Sequence, residues 1–149
     1  MTSYVLGFLF DTEKEFVLLI TKTRGVLSGT DRTQVDRVNG IGGRIEPNGE
    51  TPDHAMCREF YEETGLTPVG WRQFGRLYGE KFEVYLFRNL APLEVLARAQ
   101  KTTDETPAVF RISDLETNEA VIPNLRWMIP MALSLDRGEH AQHFDIQEG

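Results

Sequence analysis

The sequence predicts an α+β fold in which several short β-strands alternate with two helices. Runs rich in Val, Leu, Ile, Phe and Tyr, typical of strands, lie at residues 4–10, 16–21, 71–79, 81–89 and 108–112. Apolar residues recur with helical spacing at residues 51–64 and 125–135. Because no repeat or shift in composition divides the chain, we expect residues 1–149 to form a single domain.

The bulk composition excludes several classes of function. The formal charge of −7 disfavours a large nucleic acid as partner, although a small phosphorylated ligand remains compatible with it. The apolar runs are too short to cross a membrane, and the N-terminus lacks a signal peptide's pattern. The single cysteine, Cys57, has no partner for an internal disulfide. These features predict a cytoplasmic protein, either a monomer or a homodimer.

Two strands and a long loop are predicted before the first glycine-rich segment. Residues 4–10 and 16–21 read as paired strands because a short polar segment separates them. Residues 23–36 are polar, contain glycine and follow no period, so they are predicted to form a surface loop of the kind that carries binding residues.

The next segment joins a glycine-rich turn to a helix. Three glycines at residues 38–46 predict a tightly bent backbone that something approaches closely. Thr51 suits the N-cap of the following helix, Pro52 its first position and Gly65 its C-terminal end. The segment therefore places a sharp turn directly before a well-delimited helix.

Three carboxylates of this helix lie on one side. Glu59, Glu62 and Glu63 have the spacing i, i+3 and i+4, at which like charges destabilise an isolated helix. A solvated face is the ordinary explanation for any one glutamate. For the cluster, which has Phe60 beside it and Arg58 before it, we favour binding of hard divalent cations, which take carboxylate and phosphate oxygens as ligands.

The same segment resembles the signature of the Nudix hydrolases. Their box consists of glycine, five residues, glutamate, seven residues, then Arg-Glu-apolar-x-Glu-Glu-x-Gly-apolar, and residues 50–66 match it without a miss. The departure lies at the front, where six residues rather than five separate Gly43 from Glu50. The extra residue falls in an Asn-Gly turn that can absorb it.

The resemblance implies a fold, a cofactor and a set of site residues. It implies a mixed β-sheet between α-helices and the binding of Mg²⁺, or Mn²⁺, by Glu59, Glu62, Glu63 and the carbonyl of Gly42. Either Glu59 or Glu63 would also activate the attacking water, and Arg58 would hold a carboxylate in place. These chemistries suit phosphoanhydride hydrolysis, in which cations neutralise charge that develops on the phosphates.

Two further roles are implied less directly. Glu50 is expected to be a more distant support of the metal site. Asp104 or Glu105, before the last predicted strand, is expected to add another carboxylate, because the family often recruits one there.

Outside the box, the chain is similar to the MutT-like branch that hydrolyses purine nucleoside triphosphates, including oxidised ones. Six residues are predicted to bind substrate, through contacts to base or phosphate: Asn39, Asn124, Lys22, Arg24, Arg44 and Trp127. The alternatives are solvated surface charge for Lys22 and Arg24 and a place in the core for Trp127, whose helical neighbours are apolar. The chain departs from the branch at Ile122, where an aromatic residue is expected, and at Asn124, where an acidic residue is expected. Amides both donate and accept, so Asn39 and Asn124 can together recognise a base edge, although turn formation explains each equally well.

The predicted reaction is cleavage of a nucleoside diphosphate linked to another group. A nucleoside triphosphate giving monophosphate and pyrophosphate is favoured. The alternatives are an ADP-ribose, nucleotide-sugar or dinucleotide pyrophosphatase and, in another class, a non-catalytic nucleotide-binding sensor. The intact run of carboxylates argues against the sensor, because a protein that only binds needs no water-activating base.

Overall fold

The computed structural model describes residues 1–22, 37–134 and 144–148. Within these ranges one mixed sheet carries all eight strands: β1 (Thr2–Asp11), β2 (Phe16–Lys22), β3 (Val38–Asn39), β4 (Ile41–Arg44), β5 (Arg72–Tyr78), β6 (Phe82–Ala91), β7 (Glu105–Arg111) and β8 (Phe144–Gln147). The helices are α1 (Pro52–Thr64), α2 (Leu93–Leu96) and α3 (Leu125–Ser134), and a 3₁₀ helix covers Ile112–Thr117.

The strand β1 organises the sheet, because it changes partners along its length. It runs parallel to β6 throughout, but it pairs with β2 only at Leu9 and Phe10, next to the turn. Toward its N-terminus β1 pairs with β4 instead, while β2 pairs with β3 and β7. The two strands therefore diverge from the turn like the arms of a V.

The turn at the vertex of the V is held by a buried carboxylate. The Asp11 oxygens accept hydrogen bonds from the backbone N–H groups of Glu13, Glu15 and Phe16, at 3.2, 2.8 and 2.7 Å. These bonds satisfy three backbone donors of the turn without water. The two strands therefore diverge from a turn that is held closed by its own hydrogen bonds.

Alternation along the strands produces an apolar core on each face of the sheet. On one face Leu9 and Leu18 pack with Phe60 of α1 and Leu96 of α2. On the other, a second set of buried residues, which includes Phe8 and Phe10, packs with α3. The sheet lies between helices, which confirms the predicted α+β class and the α/β/α arrangement.

The helix α1 has the predicted ends. Thr51 Oγ1 accepts a hydrogen bond from the His54 N–H at 3.2 Å, which satisfies one of the free donors of the first turn. Gly65 closes the helix with φ of 75°, a left-handed conformation that glycine adopts without strain. The prediction for this helix is confirmed.

Elements that depend on remote pairing were missed. The glycine-rich segment, expected to be a turn, forms β3 and β4 because it pairs with β2 and β1. A polar stretch contains the single turn α2, and the tail contributes β8, which pairs with β5. The predicted loop at 23–36 lies outside the described residues. No helix in the described part of the chain has the length and apolar character needed to span a bilayer.

Candidate active site

A cavity of about 430 Å³ opens where β1 and β2 diverge. Carboxylates and basic groups line one end, and apolar side chains with two amides line the other. The first, the acidic end, contains Lys22, Arg37, Glu63 and Glu105, and the second, the amide end, contains Tyr4, Leu6, Asn39, Val84, Ile122, Asn124 and Met128. Clefts of this size and mixed lining are typical of small-molecule sites.

The acidic end brings α1 and the start of β7 together. Glu63, near the end of α1, lines the cavity opposite Glu105. Two hydrogen bonds fix the connecting segment against α1: the Gln100 N–H donates to the Thr64 carbonyl at 2.9 Å, and the Thr102 hydroxyl donates to the Glu62 carbonyl. Glu105 therefore reaches Glu63 from a strand more than forty positions away in the sequence.

Glu63 is strongly perturbed by these surroundings. Burial, the charge of Glu105 and a hydrogen bond with that carboxyl, in that order, raise the pKa of Glu63 to about 9. Its Oε2 atom is buried and accepts no hydrogen bond from the described residues. Of the two carboxylates that the sequence offered before the last strand, Glu105 lines this cavity and Asp104 is exposed outside it.

Arg58 links Glu50 to two other carboxylates of α1, Glu59 and Glu62. Its Nε and Nη2 atoms donate to Glu50 at 2.7 and 2.9 Å, and Nη1 donates to Glu59 at 2.9 Å and to Glu62 at 3.2 Å. The bonds from Arg58 lower the pKa of Glu50 to about 2. The forked contact to Glu50 fixes the guanidinium, so the remaining nitrogen is held between two other carboxylates.

Glu59 occupies a niche that only glycine leaves open. A Cβ atom built on Gly43 would lie 2.4 Å from the Glu59 carboxyl carbon, and one on Gly42 would lie 1.9 Å from the Val5 carbonyl oxygen. Burial raises the pKa of Glu59, while the bonds from Arg58 oppose that shift. The glycines of β4 therefore allow the helix carboxylate to lie directly against the backbone of the sheet.

The amide end is assembled by a short parallel bridge. The Val38 N–H donates to the Ala120 carbonyl at 2.8 Å, and the Ile122 N–H donates to the Val38 carbonyl at 2.9 Å. This pairing brings Asn39, the next residue of β3, to the same cavity as Asn124, which directly precedes α3.

The predicted substrate-binding residues divide into three groups. Asn39, Asn124 and Lys22 line the cavity. Arg44 and Trp127 do not. Arg44 is exposed, and its backbone carbonyl accepts a hydrogen bond from Arg58. Trp127 packs against the core on the α3 face. Arg24 lies outside the described residues.

Several lining residues were missed in the sequence, Tyr4 and Arg37 among them. Tyr4 continues the alternation of Leu6, Phe8 and Phe10 toward the α3 face, so the period of β1 was the signal that could have found it. Arg37 gave no signal, since the sequence before it is polar and follows no period. Its Nε atom is buried and, among residues 1–22, 37–134 and 144–148, has no hydrogen-bond acceptor.

Comparison with known proteins identifies the family. The family model for the NUDIX domain matches residues 2–146. The chain belongs to the Nudix family. A search of curated proteins found no match.

Several solved structures share the Nudix fold of this chain. A mutT/nudix family protein from Listeria innocua is 21% identical, with a TM-score of 0.69, over 89% of this chain and 92% of its own. MutT from Methanosarcina mazei Go1 is 19% identical, with a TM-score of 0.67, over 91% and 95%. The NUDIX domain of Shewanella oneidensis NrtR, solved with ADP ribose, is 14% identical, with a TM-score of 0.65, over 89% and 86%. The chain is thus a Nudix hydrolase with a MutT-like fold, of a family that generally uses divalent metal ions.

The acidic end has ligands of the kind that such an ion requires. In the parts of the chain that the structure describes, no three acidic, His or Cys side chains converge as a preformed metal site, and Arg58 holds Glu59 and Glu62. The donor chemistry nevertheless fits. Carboxylate oxygens are the ligands that hard divalent cations prefer. The Oε2 atom of Glu63 is buried, accepts no hydrogen bond from the described residues and lies near other carboxylates, whose like charges a cation would neutralise.

Proposed function

We propose that this Nudix hydrolase cleaves a nucleoside triphosphate to the monophosphate and pyrophosphate, with Mg²⁺ or Mn²⁺ as cofactor. The observation that carries the proposal is one cavity with carboxylates and basic groups at one end and an apolar wall with two amides at the other. A polyphosphate with bound cations fits the first end, and a base fits the second.

Glu59, Glu62 and Glu63 would hold the metal ions, with the carbonyl of Gly42 as a further ligand. Divalent cations bound there supply charge neutralisation at the phosphates and a more acidic water. Lys22 and Arg37 line the same end and would contact the phosphates from the β2 side. Their positive charges offset the carboxylates opposite, which would otherwise repel a polyphosphate.

Between the two candidates for the base, we propose Glu63. Its carboxyl lines the cavity and has one buried oxygen without a hydrogen-bond donor among the described residues. Cations bound beside it would lower its pKa from about 9, so that the ionised carboxylate would take a proton from water. Glu59 already accepts a bond from Arg58 at 2.9 Å, which favours a fixed role as a ligand. Arg58, anchored by Glu50, would set the position of Glu59.

The substrate's base would lie between Leu6, Val84, Ile122 and Met128, with Asn39 and Asn124 at its edge. The apolar groups exclude water from the faces of the base, and each amide gives a directional contact. Tyr4 adds an aromatic ring to the wall of the cavity, whereas the position before Pro123 is Ile122, which is not aromatic.

We also propose that residues 1–149 form one domain, since the family match spans most of the chain and β8 pairs back onto β5.

ADP-ribose is the second candidate substrate. The NrtR NUDIX domain, which shares this fold, was solved with ADP ribose. The same cavity would hold the adenine at its amide end and the pyrophosphate among the carboxylates.

Product analysis tests the proposal. The wild type is incubated with nucleoside triphosphates, ADP-ribose, nucleotide sugars and dinucleotides, each with Mg²⁺, with Mn²⁺ or with a chelator, and products are separated by ion-exchange chromatography. We expect monophosphate and pyrophosphate from a triphosphate, only with metal present. Release of single phosphates, or turnover of ADP-ribose alone, would contradict the favoured substrate.

Three variants make this experiment specific. Glu59→Gln and Glu63→Gln remove one charge each from the proposed site, and Glu80→Gln removes one from the exposed turn between β5 and β6. We expect loss of turnover in the first two and wild-type turnover in the third. Equal activity in all three would show that the acidic end does not carry the reaction.

A further inference from the structure

Two hydrogen bonds fix the orientation of the amides at the apolar end of the cavity. The Trp127 indole Nε1 lies 3.3 Å from Asn124 Oδ1, and the Gly40 backbone N lies 2.8 Å from Asn39 Oδ1. Both partners are N–H groups, which only donate. The atom that each contacts must therefore be the amide oxygen, so neither amide can be reversed without placing two donors against each other.

The amide nitrogens consequently point away from these partners. In a planar amide the oxygen and nitrogen diverge from one carbon, so an oxygen directed at the protein leaves the NH₂ group directed elsewhere. Among the described residues neither Asn39 nor Asn124 donates from its amide nitrogen to a protein acceptor, and both residues line the cavity. The lining of the cavity therefore contains two amide NH₂ groups that have no acceptor among the described residues.

The contact from Trp127 is not a by-product of helix capping. An asparagine that precedes a helix commonly accepts from the backbone N–H of the first turn. Here the Trp127 backbone N–H donates to the Asn124 carbonyl at 3.2 Å, and the Met128 N–H donates to the same oxygen at 3.0 Å. The Asn124 side-chain oxygen is left to the indole.

We propose that Trp127 is a positioning residue: its indole N–H holds the Asn124 oxygen, so that Asn124 and Asn39 present N–H donors together and select a base edge bearing acceptors. This inference rests on the proposed nucleotide hydrolysis and goes beyond it to the class of base. A 6-oxo purine offers O6 and N7 as adjacent acceptors. A 6-amino purine places a donor at one of these positions, against the donor of an amide.

Inosine and adenosine triphosphates provide the matched pair of probes, because their bases differ at the 6-position and its neighbouring N1 proton. We expect kcat/KM to favour ITP over ATP by about tenfold, the effect of one hydrogen bond replaced by two opposed donors. Trp127→Phe keeps an aromatic ring but removes the donor. It should raise KM for ITP, leave kcat nearly unchanged and lower the ITP preference to about threefold or less.

Two further variants separate positioning from packing. Asn124→Asp replaces the amide NH₂ by an acceptor oxygen and should reverse the preference toward ATP. Trp71→Phe makes the same substitution on the opposite face of the sheet, where Trp71 packs edge to face on Phe60 with ring centroids 4.9 Å apart. It should keep the wild-type ratio. An equal loss for both nucleotides in Trp127→Phe, with the ratio unchanged, would overturn the proposal.

Binding of ITP and ATP to Glu59→Gln with Mg²⁺, measured by equilibrium dialysis, tests the base preference separately from the proposed hydrolysis. Turnover by the wild type without base preference overturns the role of Trp127 and leaves the proposed function standing. A binding preference for ITP in Glu59→Gln, together with hydrolysis of neither nucleotide by the wild type, supports the role of Trp127 and refutes the proposed function. Equal binding of both nucleotides refutes the inference in either case.

Discussion

The two ends of the cavity are built in different ways. Beside the acidic end, three residues of one helix, Arg58, Glu59 and Glu62, and Glu50 just before it form a network of ionic hydrogen bonds centred on Arg58. At the amide end, single side chains from several separate elements are brought together by backbone pairing. The carboxylates of α1 are thus encoded in a contiguous segment, to which β7 adds Glu105, while the groups that would select a substrate are dispersed along the chain.

This difference predicts that the two ends control different kinetic parameters. Charge and proton transfer belong to the acidic end, so changes there should act on kcat. The amides and apolar groups contact a part of the substrate that does not react, so changes there should act on KM and on the choice of base. Four substitutions test the separation, in order of decreasing effect.

The largest effect is expected for Glu63→Gln. Loss of the proposed base should lower kcat by about a thousandfold, within the range for general-base removal, and leave the ITP to ATP ratio unchanged. Single-turnover kinetics with each nucleotide measure this. A changed base ratio in this variant would mean that the two ends are not separate.

Gly43→Ala should come next. The added Cβ meets the Glu59 carboxyl, so that side chain must move, and kcat should fall by about a hundredfold. The double variant with Glu59→Ala has room for the methyl group. It should be no slower than Glu59→Ala alone, and additive losses in this cycle would exclude the niche as the cause.

Glu50→Gln tests the ionic network through stability. The pKa of Glu50 is lowered from 4.5 to about 2, so the folded protein favours the ionised carboxylate. Its contribution is therefore complete above about pH 4.5 and is lost as the pH falls through about 2. Urea unfolding should show the variant less stable than the wild type by about 2 kcal/mol at pH 6, with the difference vanishing near pH 2. A difference independent of pH would indicate packing rather than charge.

The smallest effect is expected for Asn39→Ala. One donor to the base is removed, so KM should rise by about tenfold while kcat changes less than about twofold. Steady-state kinetics with ITP measure both parameters. A large fall in kcat would show that the amide end positions the reacting phosphate as well as the base.

The same contrast explains how much the sequence could predict. The helix α1 was predicted with its caps because Thr51, Pro52 and Gly65 act on neighbouring residues. The strands with two-residue alternation were located for the same reason. Local chemistry was sufficient for the acidic helix, where motif and geometry coincide.

The parts that were missed depend on non-local pairing. Nothing in the glycine-rich segment itself indicates β3 and β4, because their partners in the sheet lie between 17 (Thr21 to Val38) and 40 (Tyr4 to Arg44) positions earlier in the chain. Glu105 lines the cavity and Asp104 does not, and this difference depends on the register in which β7 pairs with β2. Trp127, predicted to bind substrate, is not among the residues that line the cavity. It packs against the core on the α3 face, and its indole N–H donates to Asn124, which does line the cavity.

The V formed by β1 and β2 has a consequence for how this scaffold can vary. The opening arises from which strands share a hydrogen-bond ladder, so it exists before any ligand arrives and needs no unzipping to admit one. Replacing the side chain of Leu6, Ile122 or Met128 changes the shape of the cavity and leaves the backbone hydrogen bonds of the sheet in place. A change at Asp11, at the far end of the arms, would alter the angle between them and so the width of the whole compartment.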